Sequence, residues 1–270
     1  MIPWMLRHVV TFSGRDGNSR PMFILDSIEA TGGRIARISL DRPAARNAIA
    51  IGQWPALADA AGEAAASGAR ALIVRSGAPG IFSAGADLGD LAGLAADPAL
   101  RHRFRIDMAR AFDAIAGLPI ATIAAVDGGC YGAGVALAMA CDMRVAGDGA
   151  RFAITPARVG IVYPACDVER LKALVGPGQA ARLLATGMTI DADEALAIGL
   201  VEERAGSADA AALALAEAIA ANARSSVAGL KRILAGDEAA DRLFEEAFGG
   251  ADFGEGLAAF RERRKPAFGA

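Results

Sequence analysis

The sequence predicts an α/β protein, because strand-like and helix-like segments alternate over most of the chain. Residues 22–29 and 34–40 have the composition of two strands, and the Thr-Gly-Gly segment between them is typical of a β-hairpin turn. An alanine-rich segment at 51–67 then has the spacing of a helix, and the apolar segment 71–75 has the character of a buried strand. Together these segments predict a ββα unit.

The alternation continues in the next part of the chain. A helix is predicted at 98–116, with Asp97 as its N-cap and Pro98 at the first helical position, where a missing N–H costs nothing. The later predicted elements are a strand at 121–126, a helix at 134–141, strands at 143–146 and 152–155, and a short helix that the capping-box pair Asp191 and Glu194 opens and Gly199 closes.

The chain divides into three parts. Residues 1–20 mix Gly, Arg, Ser and Asp without periodicity, which predicts a loose N-terminal extension. Residues 21–206 carry the alternating elements and form the predicted core. From 207 to 270 the strand signals stop and apolar residues recur at helical spacing, as Leu215 and Ile219 do. Such a helical tail needs an apolar surface to cover, either its own core or a neighbouring subunit.

The composition excludes several classes of function. The 270 residues are 54% hydrophobic with a formal net charge of −3, which favours a globular domain without a basic face for nucleic acid. No apolar run approaches the ~20 residues that span a bilayer, and the first residues lack a signal-peptide pattern. The odd number of cysteines, in apolar or glycine-rich stretches, fits a reducing compartment. We therefore expect a cytoplasmic protein that binds neither nucleic acid nor membrane.

The histidines, cysteines and glycine motifs of the sequence do not match the patterns of the commoner catalytic and cofactor sites. His8 and His102, the two histidines, lie in contexts that offer no well-placed imidazole for a nucleophile, and the cysteines lack the paired spacing of a metal site. The segment GAGVAL, which begins at Gly132, has Leu137 where a dinucleotide-binding turn needs Gly or Ala. The segment GIFSAG around Ser83 lacks the first glycine of a nucleophile elbow. No metal is expected.

Two glycine-rich turns remain, FSAGADL at 82–88 and GGCYGAGVALAMACD at 128–142. Each follows a predicted buried strand and has small residues that let a ligand approach the backbone. The second turn opens a helix, so its free N–H groups and the positive end of the helix dipole would point at bound negative charge. Tight packing of a helix on a sheet explains either turn alone, but the two together predict an oxyanion hole.

Four blocks of sequence carry a resemblance to a known family: ISLDRPAARNAI at 38–49, FSAGADL, PIATIAAVDGGCYGAGVALAMACDMRVA at 119–146, and TGMTIDADEALAIGLV at 186–201. On these blocks the chain resembles the crotonase (enoyl-CoA hydratase/isomerase) family over about Phe23 to Phe268. The resemblance implies a crotonase-like spiral of ββα units with a C-terminal helical trimerisation region. It also implies a homotrimer or a hexamer, and an acyl-CoA thioester that is a substrate and not a permanently bound cofactor.

The resemblance also assigns site residues, position by position. The oxyanion donors are the backbone N–H groups of Ala86 and Ala133. Asp142 is expected to secure local structure. The positions that the resemblance places along the path of coenzyme A and its pantetheine arm are Arg46, Ala48, Ala84, Asp87, Leu88 and Gly132.

Hydratases of this family use two glutamates to position and activate water, and those positions are Ala136 and Pro156 here. Neither side chain can exchange a proton, so efficient hydration is not expected. Tyr163 and Asp167 in the following segment are candidate acid–base groups. Each also has a structural interpretation, Tyr163 as a half-buried packing residue with a satisfied hydroxyl and Asp167 as a helix N-cap. Tyr131 is a weaker candidate.

These features predict an enzyme that binds acyl-CoA and stabilises its enolate, a lyase or isomerase of the enoyl-CoA hydratase/isomerase kind. Two alternatives stay open. The chain could be a catalytically weak acyl-CoA-binding oligomer, or a CoA thioester hydrolase or decarboxylase with the same fold.

Overall fold

The computed structural model describes residues 9–13 and 21–269. The strands are β1 (Val10–Phe12), β2 (Phe23–Ala30), β3 (Gly33–Leu40), β4 (Ala48–Ile49), β5 (Ala71–Ser76), β6 (Ile81–Ser83), β7 (Gly85–Ala86), β8 (Ala121–Val126), β9 (Gly129–Tyr131), β10 (Met143–Gly147), β11 (Arg151–Ala153), β12 (Thr189–Asp191) and β13 (Glu203–Ala205). The helices are α1 (Trp54–Ala66), α2 (Leu88–Leu91), α3 (Pro98–Ala116), α4 (Ala133–Ala140), α5 (Ala165–Thr186), α6 (Ala192–Ala197), α7 (Ala208–Ala220), α8 (Arg224–Leu234), α9 (Ala240–Ala247) and α10 (Ala251–Glu262).

A mixed sheet forms the centre of the protein. In the described part of the chain its strand order is β1-β2-β3-β5-β8-β10-β13. The first three strands are antiparallel, and β3, β5, β8, β10 and β13 run parallel to one another. Parallel neighbours need long crossover connections, which here contain helices. The predicted α/β class and the predicted strand-helix alternation are confirmed.

Two small sheets lie beside the central one, with strand orders β12-β11-β9-β6 and β4-β7. The sequence does not predict β4, β6, β7, β9 or β12, because strands of two or three residues are too short to show a hydrophobic period. These short strands hold the two glycine-rich turns. In the smaller sheet, Ile49 pairs with Ala86 of the first turn.

Helix α7 covers one face of the central sheet with an alanine stripe. Its buried residues Ala208, Ala212, Ala216 and Ala220 recur at four-residue spacing and pack against residues of the sheet such as Ile73. The small side chains allow a close approach of helix and sheet. On the opposite face a larger core contains side chains of α1, α3 and α4. The first helix of the C-terminal tail therefore covers the protein's own core.

Several local predictions are confirmed. Helix α3 begins where predicted, and Asp97 Oδ1 accepts a hydrogen bond of 2.9 Å from the Leu100 N–H. Asp142, expected to secure local structure, accepts from the Thr122 N–H and forms an ion pair of 2.8 Å with Lys231 of α8.

The predicted capping box is only half formed. Asp191 accepts from the Glu194 N–H at 2.9 Å, but the Glu194 carboxylate binds Arg182 of α5. The ion pair with the guanidinium offers that carboxylate a charge-assisted bond, which is stronger than one to a neutral N–H.

The predicted N-terminal extension lies largely outside the described residues, as does His8. Its residues 10–12 are not loose, however, because they form β1 and pair with β2. Among the described residues, no helix combines the length and the apolar character needed to cross a bilayer.

Candidate active site

The two glycine-rich turns meet at Gly85. A Cβ atom added to Gly85 would lie 2.6 Å from the Tyr131 carbonyl oxygen and 3.0 Å from the Ala133 nitrogen. The backbone of Gly85 also has φ +92°, a conformation that residues with a side chain rarely adopt. Glycine at this position therefore lets Ala86 and Ala133 approach each other.

The first turn is held by a buried amide. Asn47 is fully buried, and its Nδ2 donates to the Phe82 carbonyl at 3.0 Å and to Ser76 Oγ at 2.8 Å. Ser83 Oγ donates to the Asn47 carbonyl at 2.7 Å. Asn47 is not among the predicted site residues, although a polar residue between a turn and a buried strand is a signal that can indicate such a role.

The pairing of β4 with β7 directs the Ala86 N–H. The Asp87 N–H donates to the Ile49 carbonyl at 2.9 Å. In a parallel pair, alternate residues of a strand bond to the same neighbour, so the N–H of Ala86 points away from β4. Ala86 is partly exposed, which leaves this donor within reach of a ligand.

The second predicted donor, the Ala133 N–H, lies at the start of α4. Gly132 is the N-cap residue and has φ +51°. Ala133 is the first helical residue, so its N–H has no acceptor within the helix. Residues 134–140 of α4 are apolar and buried. Because water does not surround this helix, the positive end of its dipole at Ala133 is little screened. Ala133 itself is partly exposed.

The residues predicted along the coenzyme A path cluster beside these turns. Arg46 is exposed in a left-handed conformation, and its guanidinium carbon lies 5.9 Å from the centre of the Tyr131 ring. The Ala84 N–H donates to the Arg46 carbonyl at 2.9 Å. Ala48 is buried, whereas Leu88 is 63% exposed.

Asp87, another predicted path residue, is engaged within the protein. Its Oδ2 lies 2.7 Å from Arg42 Nη1, and its Oδ1 accepts from the Gly89 N–H at 3.0 Å as the N-cap of α2. The hydrogen bond from Arg42 lowers the pKa of the Asp87 carboxyl. Arg42 also donates to the Ala48 carbonyl at 2.9 Å. Arg42, which is not among the predicted site residues, therefore links the first glycine-rich turn to β4.

Ala136 belongs to the second turn segment, in α4, and Pro156 lies beside that segment. The Ala136 N–H donates to the Gly132 carbonyl at 3.3 Å, and the Ala136 side chain is buried. Pro156 begins a short 3-10 helix directly after Thr155, whose Oγ1 would lie 3.6 Å from a Cβ atom on Gly132. Neither side chain has a group that can exchange a proton.

Tyr163 reaches the second turn from the loop before α5. It is half-buried, and its hydroxyl donates to the Gly132 carbonyl at 2.9 Å. Burial, with a contribution from the negative charge of Asp167, raises the pKa of this hydroxyl well above its usual value. The hydroxyl therefore has a hydrogen-bond acceptor within the protein, as the structural interpretation of Tyr163 predicts.

Asp167 is buried in the first turn of α5. Pro164 is the N-cap of that helix, so the interpretation of Asp167 as an N-cap is wrong. Asp167 Oδ1 lies 3.0 Å from Arg170, which also pairs with Asp113 of α3 at 2.8 Å. Asp167 Oδ2 has no hydrogen-bond partner within residues 9–13 and 21–269. Burial raises the pKa of this carboxyl above its usual value.

The fold and the two convergent turns define an α/β protein with a candidate backbone anion site. A family model described as enoyl-CoA hydratase/isomerase matches residues 30–270. The chain therefore belongs to the enoyl-CoA hydratase/isomerase family.

Individual relatives agree with this assignment. A probable mitochondrial enoyl-CoA hydratase of Arabidopsis thaliana is 32% identical over 263 residues, covering 93% of this chain and 87% of the relative. A probable enoyl-CoA hydratase of Mycobacterium leprae is 33% identical over 246 residues, covering 87% of this chain and 94% of the relative.

Solved structures show the same fold. An enoyl-CoA hydratase/isomerase family protein from Hyphomonas neptunium matches with a TM-score of 0.87 at 38% identity, covering 92% of this chain and 97% of that chain. An enoyl-CoA hydratase/carnithine racemase from Magnetospirillum magneticum matches with a TM-score of 0.86 at 30% identity, covering 93% of this chain and 97% of that chain. The predicted crotonase-like fold is confirmed.

Proposed function

We propose that this protein is an acyl-CoA enzyme that stabilises a thioester enolate with the backbone N–H groups of Ala86 and Ala133. We also propose that it is not an efficient hydratase of the two-glutamate kind. The contact between the two turns at Gly85 is the observation that supports the enolate site, because it brings two N–H donors on separate elements together. One such donor is typically worth about 3 kcal/mol of transition-state stabilisation.

The coenzyme A part of the ligand is proposed to lie along the edge that carries Arg46, Ala84 and Leu88. Arg46 supplies an exposed guanidinium suited to a phosphate group, and its position over Tyr131 restricts its motion. We propose that Asp87 does not contact the ligand and instead stabilises the first glycine-rich turn through its ion pair with Arg42.

Asp167 is the group we propose for proton transfer. Removing a proton from the carbon next to the thioester carbonyl moves an electron pair onto the thioester oxygen, and the proton goes to the Asp167 carboxylate. A raised pKa makes that carboxylate a stronger base. Its Oδ2, which has no hydrogen-bond partner in the described part of the chain, is a buried oxygen that a ligand or water would satisfy. Tyr163 is less suited, because its hydroxyl proton is already held by the Gly132 carbonyl.

A catalytically weak acyl-CoA-binding oligomer is the competing candidate. It is favoured by the ion pair between Asp167 and Arg170, which stabilises the ionised carboxylate, and by the apolar side chains at Ala136 and Pro156. The two candidates differ in turnover, so proton exchange on a bound thioester separates them.

We expect the wild-type protein to exchange the α-protons of butyryl-CoA with deuterium oxide, because the enolate forms without any need for water addition. Hydration of crotonyl-CoA should be slower than in a two-glutamate relative by about 10²–10⁴-fold. NMR measures the exchange, and loss of the enoyl absorbance measures the hydration. Rapid hydration would contradict the second part of the proposal. If butyryl-, malonyl- and β-ketoacyl-CoA bind but show neither exchange nor turnover, the enzyme proposal is wrong and the catalytically weak acyl-CoA-binding oligomer is supported.

The variant Asp167→Asn tests the proton-transfer role in the same exchange assay. It should lower the exchange rate by about 10²–10⁴-fold, because an amide of the same size cannot accept the proton. Since the raised pKa delays ionisation of Asp167, the wild-type rate should rise with pH through an apparent pKa above the ordinary carboxyl value. The Asn variant should lack that rise. Glu169→Gln, an exposed carboxylate on the same helix, is the control. Equal rates in both variants would exclude Asp167.

We also propose that the protein assembles as a homotrimer or hexamer. The helices after α7 expose large apolar side chains, and the rings of Phe244, Phe248 and Phe253 pack edge to face with centroids 5.2 Å apart. Phe260 is 81% exposed. Exposed aromatic clusters of this kind are typical of protein interfaces.

Replacing Phe248 by Glu should shift the protein towards monomers, because an unpaired charge would have to be buried in the interface. Sedimentation velocity measures the change, with an expected loss of more than about 2 kcal/mol of association free energy. Glu246→Gln, two residues earlier in α9, is the control and should assemble as wild type does. A wild-type protein that is monomeric at micromolar concentration would contradict the proposed oligomer.

A further inference from the structure

The carbonyl of Gly132 accepts three hydrogen bonds. The Val135 N–H donates to it at 3.0 Å and the Ala136 N–H at 3.3 Å, as the first bonds of α4. The Tyr163 hydroxyl donates to the same oxygen at 2.9 Å from outside the helix. A carbonyl oxygen has two lone pairs, so the tyrosine adds a donor to an acceptor that the helix already uses.

This carbonyl and the N–H of Ala133 belong to one peptide group. Amide resonance couples the two ends, because a donor at the oxygen draws electron density from the nitrogen and leaves the N–H more positive. Hydrogen bonds in a chain strengthen one another by perhaps 10–30% per bond. Each donor to Gly132 therefore strengthens Ala133 as a donor.

We propose that Tyr163 is a positioning residue that polarises and orients the Gly132–Ala133 peptide, so that the Ala133 N–H binds the thioester oxygen more strongly. The inference rests on the proposed function, because it assigns the Ala133 N–H to the oxyanion site. It gives Tyr163 a role that requires no proton transfer to substrate.

The surroundings of Tyr163 suit this role. The ring is half-buried against the core, which fixes the hydroxyl near the turn. A tyrosine hydroxyl is protonated at neutral pH, and burial raises the pKa of Tyr163 further, so the hydroxyl is a donor there. On the other side of the turn, the Gly132 N–H donates to the Ala153 carbonyl at 2.9 Å. Gly132 is thus held from both sides in its positive-φ conformation.

The first experiment uses the protein without ligand. In protein labelled with ¹³C at glycine carbonyls and ¹⁵N at alanine, NMR detects Gly–Ala peptides, and the Ala133 signal is assigned by its loss in Ala133→Gly. Tyr163→Phe should shift that signal, because one donor to the adjoining carbonyl is lost. Tyr131→Phe removes the hydroxyl of the only other tyrosine in the sequence and should leave the signal in place. Incorporation of 3-fluorotyrosine, a stronger donor, should shift it in the opposite sense.

The second experiment uses a bound thioester labelled with ¹³C at its carbonyl. Its infrared band should move to lower frequency on binding to the wild type, and by less in Tyr163→Phe. The same variant should bind the enolate form of acetoacetyl-CoA about three- to tenfold more weakly, with unchanged affinity for coenzyme A itself.

The outcomes separate this inference from the function on which it rests. An unchanged Ala133 signal together with an unchanged thioester band in folded Tyr163→Phe would overturn the role of Tyr163. If the wild type itself produced no shift of the thioester band, the oxyanion assignment would fail. In that case the ligand-free signal of Ala133 would still decide whether Tyr163 polarises the peptide.

Discussion

Replacing Ala133 by proline should weaken binding of enolate-like CoA ligands by about 10²–10³-fold, because the substitution deletes one of the two proposed oxyanion donors. Proline is otherwise well suited to this position. Ala133 is the first residue of α4, where the N–H has no acceptor within the helix and the helical φ matches that of proline. The loss of affinity is therefore expected without a matching loss of folded protein.

The matched control is Ala133→Gly, which keeps the N–H and removes only a methyl group. Calorimetric titration with acetoacetyl-CoA measures the affinity of each variant, and circular dichroism checks the fold. The glycine variant should stay within a few-fold of wild type. A folded proline variant that binds the enolate as tightly as the glycine variant does would remove Ala133 from the site.

The second large effect is expected at Gly85. Replacing it by alanine should lower the free energy of unfolding by about 2–5 kcal/mol, since the positive φ and the overlap with a neighbouring backbone each add a cost. The new Cβ would lie 2.6 Å from the Tyr131 carbonyl oxygen, and relief of that overlap requires the two turns to separate. Enolate binding should fall as well, because the donors on Ala86 and Ala133 would move apart.

Gly68 provides the control for Gly85. It has φ +76°, similar to the +92° of Gly85, but among the described residues other than Gly68 and its two chain neighbours, an added Cβ would meet no atom within 4 Å. Gly68→Ala should therefore lower the free energy of unfolding only by the cost of placing alanine at positive φ, about 1–2 kcal/mol. Urea unfolding measures both variants. Equal destabilisation by the two substitutions would mean that the contact between the turns contributes nothing to stability at Gly85.

The sequence by itself determined the elements whose signals lie within a few residues. The hairpin of β2 and β3 follows from two alternating segments around a glycine turn, and α3 follows from Asp97 and Pro98 at its start. The helical tail follows from apolar residues at helical spacing. The two turns follow from small residues after predicted strands, a local pattern, whereas the choice of Ala86 and Ala133 within them follows from the family resemblance.

Only the tertiary structure decided how these pieces meet. Gly85 and Ala133 are far apart in sequence, and their contact depends on pairing between two-residue strands that have no recognisable period. The burial of Asn47 likewise depends on groups contributed by other segments of the chain. The hydrogen bond from Tyr163 to Gly132 also depends on the tertiary structure, because packing between elements decides which partner a side chain meets. Secondary-structure propensity, in contrast, depends on residues that are neighbours in the chain.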